Sequence, residues 1–122
     1  MVSAVFSDIQ MQVPADAMRD AHRGHGPTFA YLFTWPAVNP LLGACHGIDI
    51  PFTFGNFVEG WDEFVGADDA AHEVGRALRA AWARFARDGN PGWPDIPATM
   101  VFGRDPIVAD DPLRARLASL AK

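Results

Sequence analysis

The sequence predicts an α/β chain in which helices pack around two or three short strands. Residues 69–88 show a long helical period of apolar side chains. Residues 28–33 form a β-branched and aromatic run between Pro27 and Pro36, as a buried strand does. Two further short apolar runs, 99–102 and 107–108, flank the turn signal Gly103-Arg104-Asp105-Pro106.

The elements follow in order. Phe6, Ile9 and Val13 recur at helical spacing, with Ser3 as a candidate cap. Pro14 opens a second helical segment running to about His22, with Gly24 past its end. Thr28-Phe29-Ala30-Tyr31-Leu32-Phe33 is the first strand, and residues 34–66 read as a long loop rich in aromatics, Pro and Gly. In the long helix, with Asp68 as N-cap, Val74, Leu78, Ala81, Trp82 and Phe85 share one face. Arg76, Arg79, Arg84 and Arg87 lie off that face, weighted toward the end that favours cations. Gly89-Asn90-Pro91 stops the helix. After the two late strands, Pro112 opens a terminal helix capped by Asp110 or Asp111.

The chain has 122 residues, short enough for one unit spanning 1–122, and its apolar fraction of 49% suits a packed core. Ten Lys and Arg against 15 Asp and Glu give a net charge of −5, which argues against a nucleic-acid partner. Cys45 has no second cysteine to pair with, which excludes an internal disulfide framework. The residues before Asp8 include no Lys or Arg, so no signal peptide is expected there. The most apolar stretch, Gly24 to Ile48, contains Pro27, Pro36, Asn39 and Pro40 and reads as no membrane span. A cytoplasmic protein without membrane attachment is the expectation.

Charge is unevenly distributed. From Gly24 to Val58 the only formal charge is Asp49. Ionised side chains belong on solvated surface, so this stretch is expected to be buried or to face a partner.

His46 sits inside that stretch, in Leu42-Gly43-Ala44-Cys45-His46-Gly47. A neutral imidazole takes a proton from a hydroxyl near pH 7 and returns it to a leaving group, and the small neighbours leave room for a substrate. By residue type alone His46 is either such a base or a hydrogen-bonded turn histidine. Cys45 beside it suggests a Cys–His pair, but adjacent side chains in extended chain point apart, so Cys45 reads as a small buried hydrophobe. His22 and His25, with His46 or His72, have His-x-x-His spacing without a second ligand pair, so no metal or other cofactor is expected. Trp35, Phe57 and Trp61 suit either a ligand pocket or core packing. Glu59, Asp62 and Glu63 read as a solvated face.

The run His46-Gly47-Ile48-Asp49-Ile50-Pro51-Phe52-Thr53-Phe54-Gly55 resembles the histidine segment of the type-B carboxylesterase and cholinesterase-like family. Downstream, Trp82, Phe85-Ala86, Gly89, Pro91 and Trp93-Pro94 are similar to that family's helix end and following Trp-Pro. Asp88-Gly89-Asn90-Pro91 departs slightly from its usual Gly-Asp-Pro turn. Upstream, Pro27 to Phe33 resembles its last core strand before the histidine loop. The likeness covers nearly the whole chain in one order.

The resemblance implies the C-terminal part of an α/β-hydrolase fold, with His46 as general base of a Ser–His–Glu/Asp triad. On that fold the nucleophile comes first, then the acid, then the histidine. The serines here, Ser3, Ser7 and Ser119, lack the Gly-x-Ser-x-Gly context, and neither an oxyanion-hole glycine run nor the acid's segment is present. The implied partner is therefore a missing N-terminal esterase portion, and the chain alone is expected to be inactive by the triad route. Asp49 is read as a carboxylate that holds the loop by hydrogen bonds, because the family's acid lies on an earlier segment. A second reading is a non-catalytic interaction module on the same fold, with the 28–33 edge and the 36–58 loop driving homo-oligomerisation. A third is a small α+β domain with a ligand pocket around His46, Trp35 and the phenylalanines.

Overall fold

A helix starts where a side chain can substitute for the acceptors its first N–H groups lack. In the computed structural model, which describes residues 8–114, Asp68 does this. Its backbone is extended and its carboxylate accepts from the Ala71 N–H at 2.8 Å. The other oxygen accepts from Arg104 at 3.0 Å. These contacts, the Ala71 N–H foremost, hold the Asp68 carboxyl below the usual carboxylate range. The helix they open, Asp69–Asp88, ends at Gly89, whose left-handed φ of 70° lets its N–H reach the Phe85 carbonyl at 2.8 Å.

The other elements are short. A π-helical turn, Asp8–Gln12, runs directly into helix α1, Val13–His22, with Pro14 in its first turn. The two segments expected here are thus continuous, while Ser3 and Phe6 lie outside the described residues. Strand β1 is Ala30–Phe33, helix α2 Ile50–Phe54 and helix α3 Trp61–Val65. The long helix Asp69–Asp88 is α4, followed by strands β2, Ala98–Phe102, and β3, Ile107–Asp110. The terminal helix expected from Pro112 lies largely outside the described residues. No described helix is long and apolar enough to cross a membrane.

The strands form one sheet in the order β1-β2-β3. β1 and β2 are parallel, with Ala30 opposite Thr99 and Phe33 opposite Phe102. A parallel pair needs a long crossover, and here it carries α2, α3 and α4. β2 and β3 are antiparallel across the turn at Gly103–Pro106, with Met100 opposite Val108.

The α4 stripe supplies Ala71, Val74, Leu78 and Ala81 to the core. Trp82 and Phe85, expected on the same buried face, are 51% and 50% exposed. Their rings instead meet the start of the sheet, Trp82 against Tyr31 at 6.3 Å and Phe85 against Phe29 at 6.1 Å. The 34–66 region departs from the expected loop because it folds α2 and α3, each about one turn long. Pro51 lies in the first turn of α2, and Gly55 and Gly66 end the two helices in left-handed conformation. The 24–58 stretch, whose only formal charge is Asp49, divides in two. Trp35, Ala37, Ile48 and Phe52 are buried, whereas Leu41 and Phe54 are 83% and 77% exposed.

Two measurements check this fold. Phe52→Ala, which empties a fully buried aromatic site, is expected to lower the free energy of urea unfolding by about 3–5 kcal/mol. Asp68→Ala is expected to lower the thermal midpoint at pH 7. Because the folded-state value of Asp68 lies below that of the unfolded chain, the cap acts in full above about pH 4 and weakens as pH falls through the folded value. The gap between Asp68→Ala and the parent chain should therefore narrow in acid.

Candidate active site

The turn carrying His46 is built from backbone bonds on either side of it. Ile48 N–H donates to the Cys45 carbonyl at 3.2 Å, and Ile50 N–H donates to Gly47 at 3.1 Å. Gly47 has φ of 79°, a conformation that side-chain-bearing residues rarely adopt. Upstream, Ala37 N–H donates to the Gly43 carbonyl at 2.8 Å. Trp35, two residues before it, is buried and donates its indole N–H to the Val65 carbonyl at 2.8 Å. Downstream the turn passes into α2, whose Phe52 is buried.

A feature absent from the sequence reading fixes α2. Arg79 of α4, expected off the apolar face, reaches across and donates to the Phe52 carbonyl at 2.6 Å. The guanidinium occupies a slot beside two glycines. A Cβ on Gly55 would come within 3.1 Å of it, and one on Gly75 within 3.0 Å. The histidine turn is thus tied to the core through Trp35 and to α4 through α2.

The His46 side chain is exposed and borders an open cavity of ≈ 580 Å³. Gly47, Ile50, Glu59, Trp61 and Phe64 also line it, with the Trp61 and Phe64 rings edge to face at 5.9 Å. Among the described residues no hydrogen bond engages the His46 ring. The site therefore presents an accessible imidazole beside an aromatic wall, with one carboxylate on the rim. Such an arrangement can accept a proton from a bound hydroxyl.

The other candidates fall elsewhere. Asp49 stands at the N-cap position of α2 with helical backbone, and its side chain caps nothing. Its backbone carbonyl, not its carboxylate, ties the turn by accepting from Thr53 N–H at 2.8 Å. The expected hydrogen-bonding carboxylate is thus corrected. Asp49 still acts through its field, because burial and then the Asp49 charge push the Tyr31 hydroxyl up. Cys45 is half-buried and packs against the core. Trp35 lies within the core, so a pocket shared by His46 and Trp35 does not form; Trp61 and Phe64 take that place. Phe57 packs on Phe52 at 5.1 Å and on His72 at 4.7 Å. His22 closes α1, with Nδ1 2.8 Å from the Thr28 hydroxyl. Among the described residues no three His, Cys, Asp or Glu side chains gather around a metal-sized site. Glu59, read as a solvated residue, belongs to the His46 cavity, and only the fold brings the two together.

The model of the Carboxylesterase family matches residues 1–99. The chain belongs to that family. It is 28% identical over 120 residues to the para-nitrobenzyl esterase of Bacillus subtilis (strain 168), covering 88% of this chain and 24% of that protein. With the phenmedipham hydrolase of Pseudarthrobacter oxydans it shares 37% identity over 124 residues, covering 92% of this chain and 23% of the relative. A solved PNB esterase superposes with a TM-score of 0.80 at 26% identity, covering 93% of this chain and 25% of the other. The carboxylesterase chain in hand thus spans about a quarter of the length of these relatives. Its fold is part of the α/β-hydrolase architecture of the esterases it resembles.

Arg79→Ala removes a charged donor from a half-buried carbonyl. The expected loss is about 1–3 kcal/mol in urea unfolding, with faster amide exchange through α2 than through the centre of α4. Equal exchange in both would show that the arginine does not hold α2.

Proposed function

We propose that this chain is the histidine-bearing part of a carboxylic ester hydrolase and that His46 is its general base. The observation that carries the reading is the accessible imidazole of His46 on an open cavity, in a member of the carboxylesterase family. His46 takes the proton of a serine hydroxyl as that oxygen attacks the ester carbonyl, and passes it to the departing alcohol. It then takes a proton from water, which attacks the acyl-enzyme. The serine, the acid that orients the imidazole and the oxyanion-hole donors come from the larger portion of the enzyme. Trp61 and Phe64 supply apolar wall to the cavity that receives substrate.

On this reading the chain alone does not turn over esters by the triad route, because positioned serine and oxyanion donors carry most of that catalysis. The test is p-nitrophenyl ester hydrolysis, first with the pure chain, then with the N-terminal three-quarters of the para-nitrobenzyl esterase co-expressed. Activity is expected only in the second case and should fall by at least about a thousandfold with His46→Ala. Turnover by the pure chain that His46→Ala abolishes would refute the claim that the nucleophile lies elsewhere. Complemented activity that survives His46→Ala would remove His46 from the mechanism.

A further inference from the structure

The aromatic wall of the His46 cavity hangs on one short segment of chain. α3 carries Trp61 and Phe64, the two rings that line the cavity. It lies between Gly60 and Gly66, with φ of 91° and 60°, where no Cβ stops the backbone from turning. A helix of five residues does not keep its place by its own hydrogen bonds. The bonds of its first turn are local, with Trp61 and Asp62 N–H both donating to the Val58 carbonyl. Its last turn is gripped by residues 35–38. The Trp35 indole donates to the Val65 carbonyl at 2.8 Å, and Val38 N–H donates to the Phe64 carbonyl at 2.9 Å. Val38 also lies close on Gly66, where an added Cβ would stand 3.1 Å from the Val38 side chain.

The same segment holds the histidine turn, through Ala37 N–H on the Gly43 carbonyl at 2.8 Å. Residues 35–38 are thus the common support of His46 and of the wall beside it. Trp35 is the buried member of that support, at 1% exposure. Within the core its ring meets Phe52 at 5.4 Å. Its other large neighbour is a cation. The guanidinium carbon of Arg104, in the β2–β3 turn, lies 4.4 Å from the centroid of the Trp35 ring. Arg104 also donates to the Asp68 carboxylate at 3.0 Å. The carboxylate holds the guanidinium in one place, and the electron-rich indole attracts it there.

We propose that Arg104 is a positioning residue of the site, acting through Trp35 to hold the Trp61–Phe64 wall in place at the His46 cavity. The inference rests on the reading of that cavity as the place that receives substrate, and deepens it by naming what sets the position of the wall. The side chain of Arg104 is 57% exposed, so its replacement leaves no hole in the core. What is lost is the cation on Trp35, and the loosening passes to Val65 and Phe64 through the bonds that Trp35 and Val38 make to α3.

The test compares Arg104→Gln, which removes the charge, with Arg104→Lys, which keeps a cation beside the ring. Hydrogen exchange is followed by nuclear magnetic resonance on the chain as it stands. In Arg104→Gln the Trp35 indole N–H and the Val38 amide are expected to exchange at least about fivefold faster, while the Leu78 amide in α4 stays within about twofold. The Trp61 indole resonance should move in the same variant. Arg104→Lys should bring all three signals back toward the parent. With ester hydrolysis restored by the N-terminal three-quarters of the para-nitrobenzyl esterase, Arg104→Gln is expected to raise KM at least about threefold and to leave kcat within about twofold. Unchanged exchange at Trp35 and Val38, an acceleration that extends equally to Leu78, or no recovery in Arg104→Lys would overturn the proposal. So would a KM that Arg104→Gln leaves alone. Activity that survives His46→Ala defeats only the catalytic assignment, and the exchange pattern then still decides the role of Arg104.

Discussion

The arrangement depends on Phe52. Its ring is completely buried and meets Phe33 of the sheet at 4.9 Å, Trp35 at 5.4 Å and Phe57 at 5.1 Å. Its carbonyl receives the guanidinium of α4. One residue, six positions after His46, therefore joins the histidine turn to the first strand, the crossover loop and the long helix. Burial of aromatic area supplies the attraction, and the edge-to-face geometry restricts how the partners sit. A turn of small residues would wander without such an anchor. This one is held at a fixed distance from the sheet, as the proposed role of His46 as a general base requires.

Legibility followed the length and chemistry of each signal. α4 was readable nearly to its ends because twenty residues of helical period outweigh local noise, and because Asp68 and Gly89 are strong terminal signals. The strands were readable from β-branched and aromatic runs bounded by proline and glycine. α2 and α3 were not, because five residues are too few to show a period. The burial of Trp82 and Phe85 was overestimated because helical spacing gives a face but not what that face meets. His46 was ambiguous by residue type, and its proposed assignment rests on the ten-residue pattern that begins with it. Arg79 and Glu59 had no local signal. The role of each comes from a neighbour 27 residues away along the chain for Arg79, and from the cavity shared with His46 for Glu59.

The distribution of charge follows the same division of labour. Ion pairs gather where the chain closes on itself: Arg19 of α1 meets Asp111 at 3.1 Å, with both side chains largely covered. Burial pulls the Arg19 guanidinium down, and the hydrogen bond and charge of Asp111, with Asp16 and Asp20, more than reverse this. By contrast, the nearly uncharged 24–58 stretch builds the sheet edge, the histidine turn and the aromatic hub. Its apolar side chains are too many for a small core to cover, which is why Leu41 and Phe54 remain in solvent.

The slot occupied by Arg79 has a bearing on how this sequence can drift. The guanidinium fits because Gly55 and Gly75 both lack a side chain. The three positions lie on different turns of chain yet form one steric unit. Transplanting α4 from a homologue with a shorter residue at position 79 would leave a hole beside Gly55 and the Phe52 carbonyl. Enlarging either glycine first would press a Cβ against the guanidinium and force it to shift. Exchange is therefore easiest when all three change in concert, so hybrid enzymes cut between residues 55 and 75 should inherit mismatched parts.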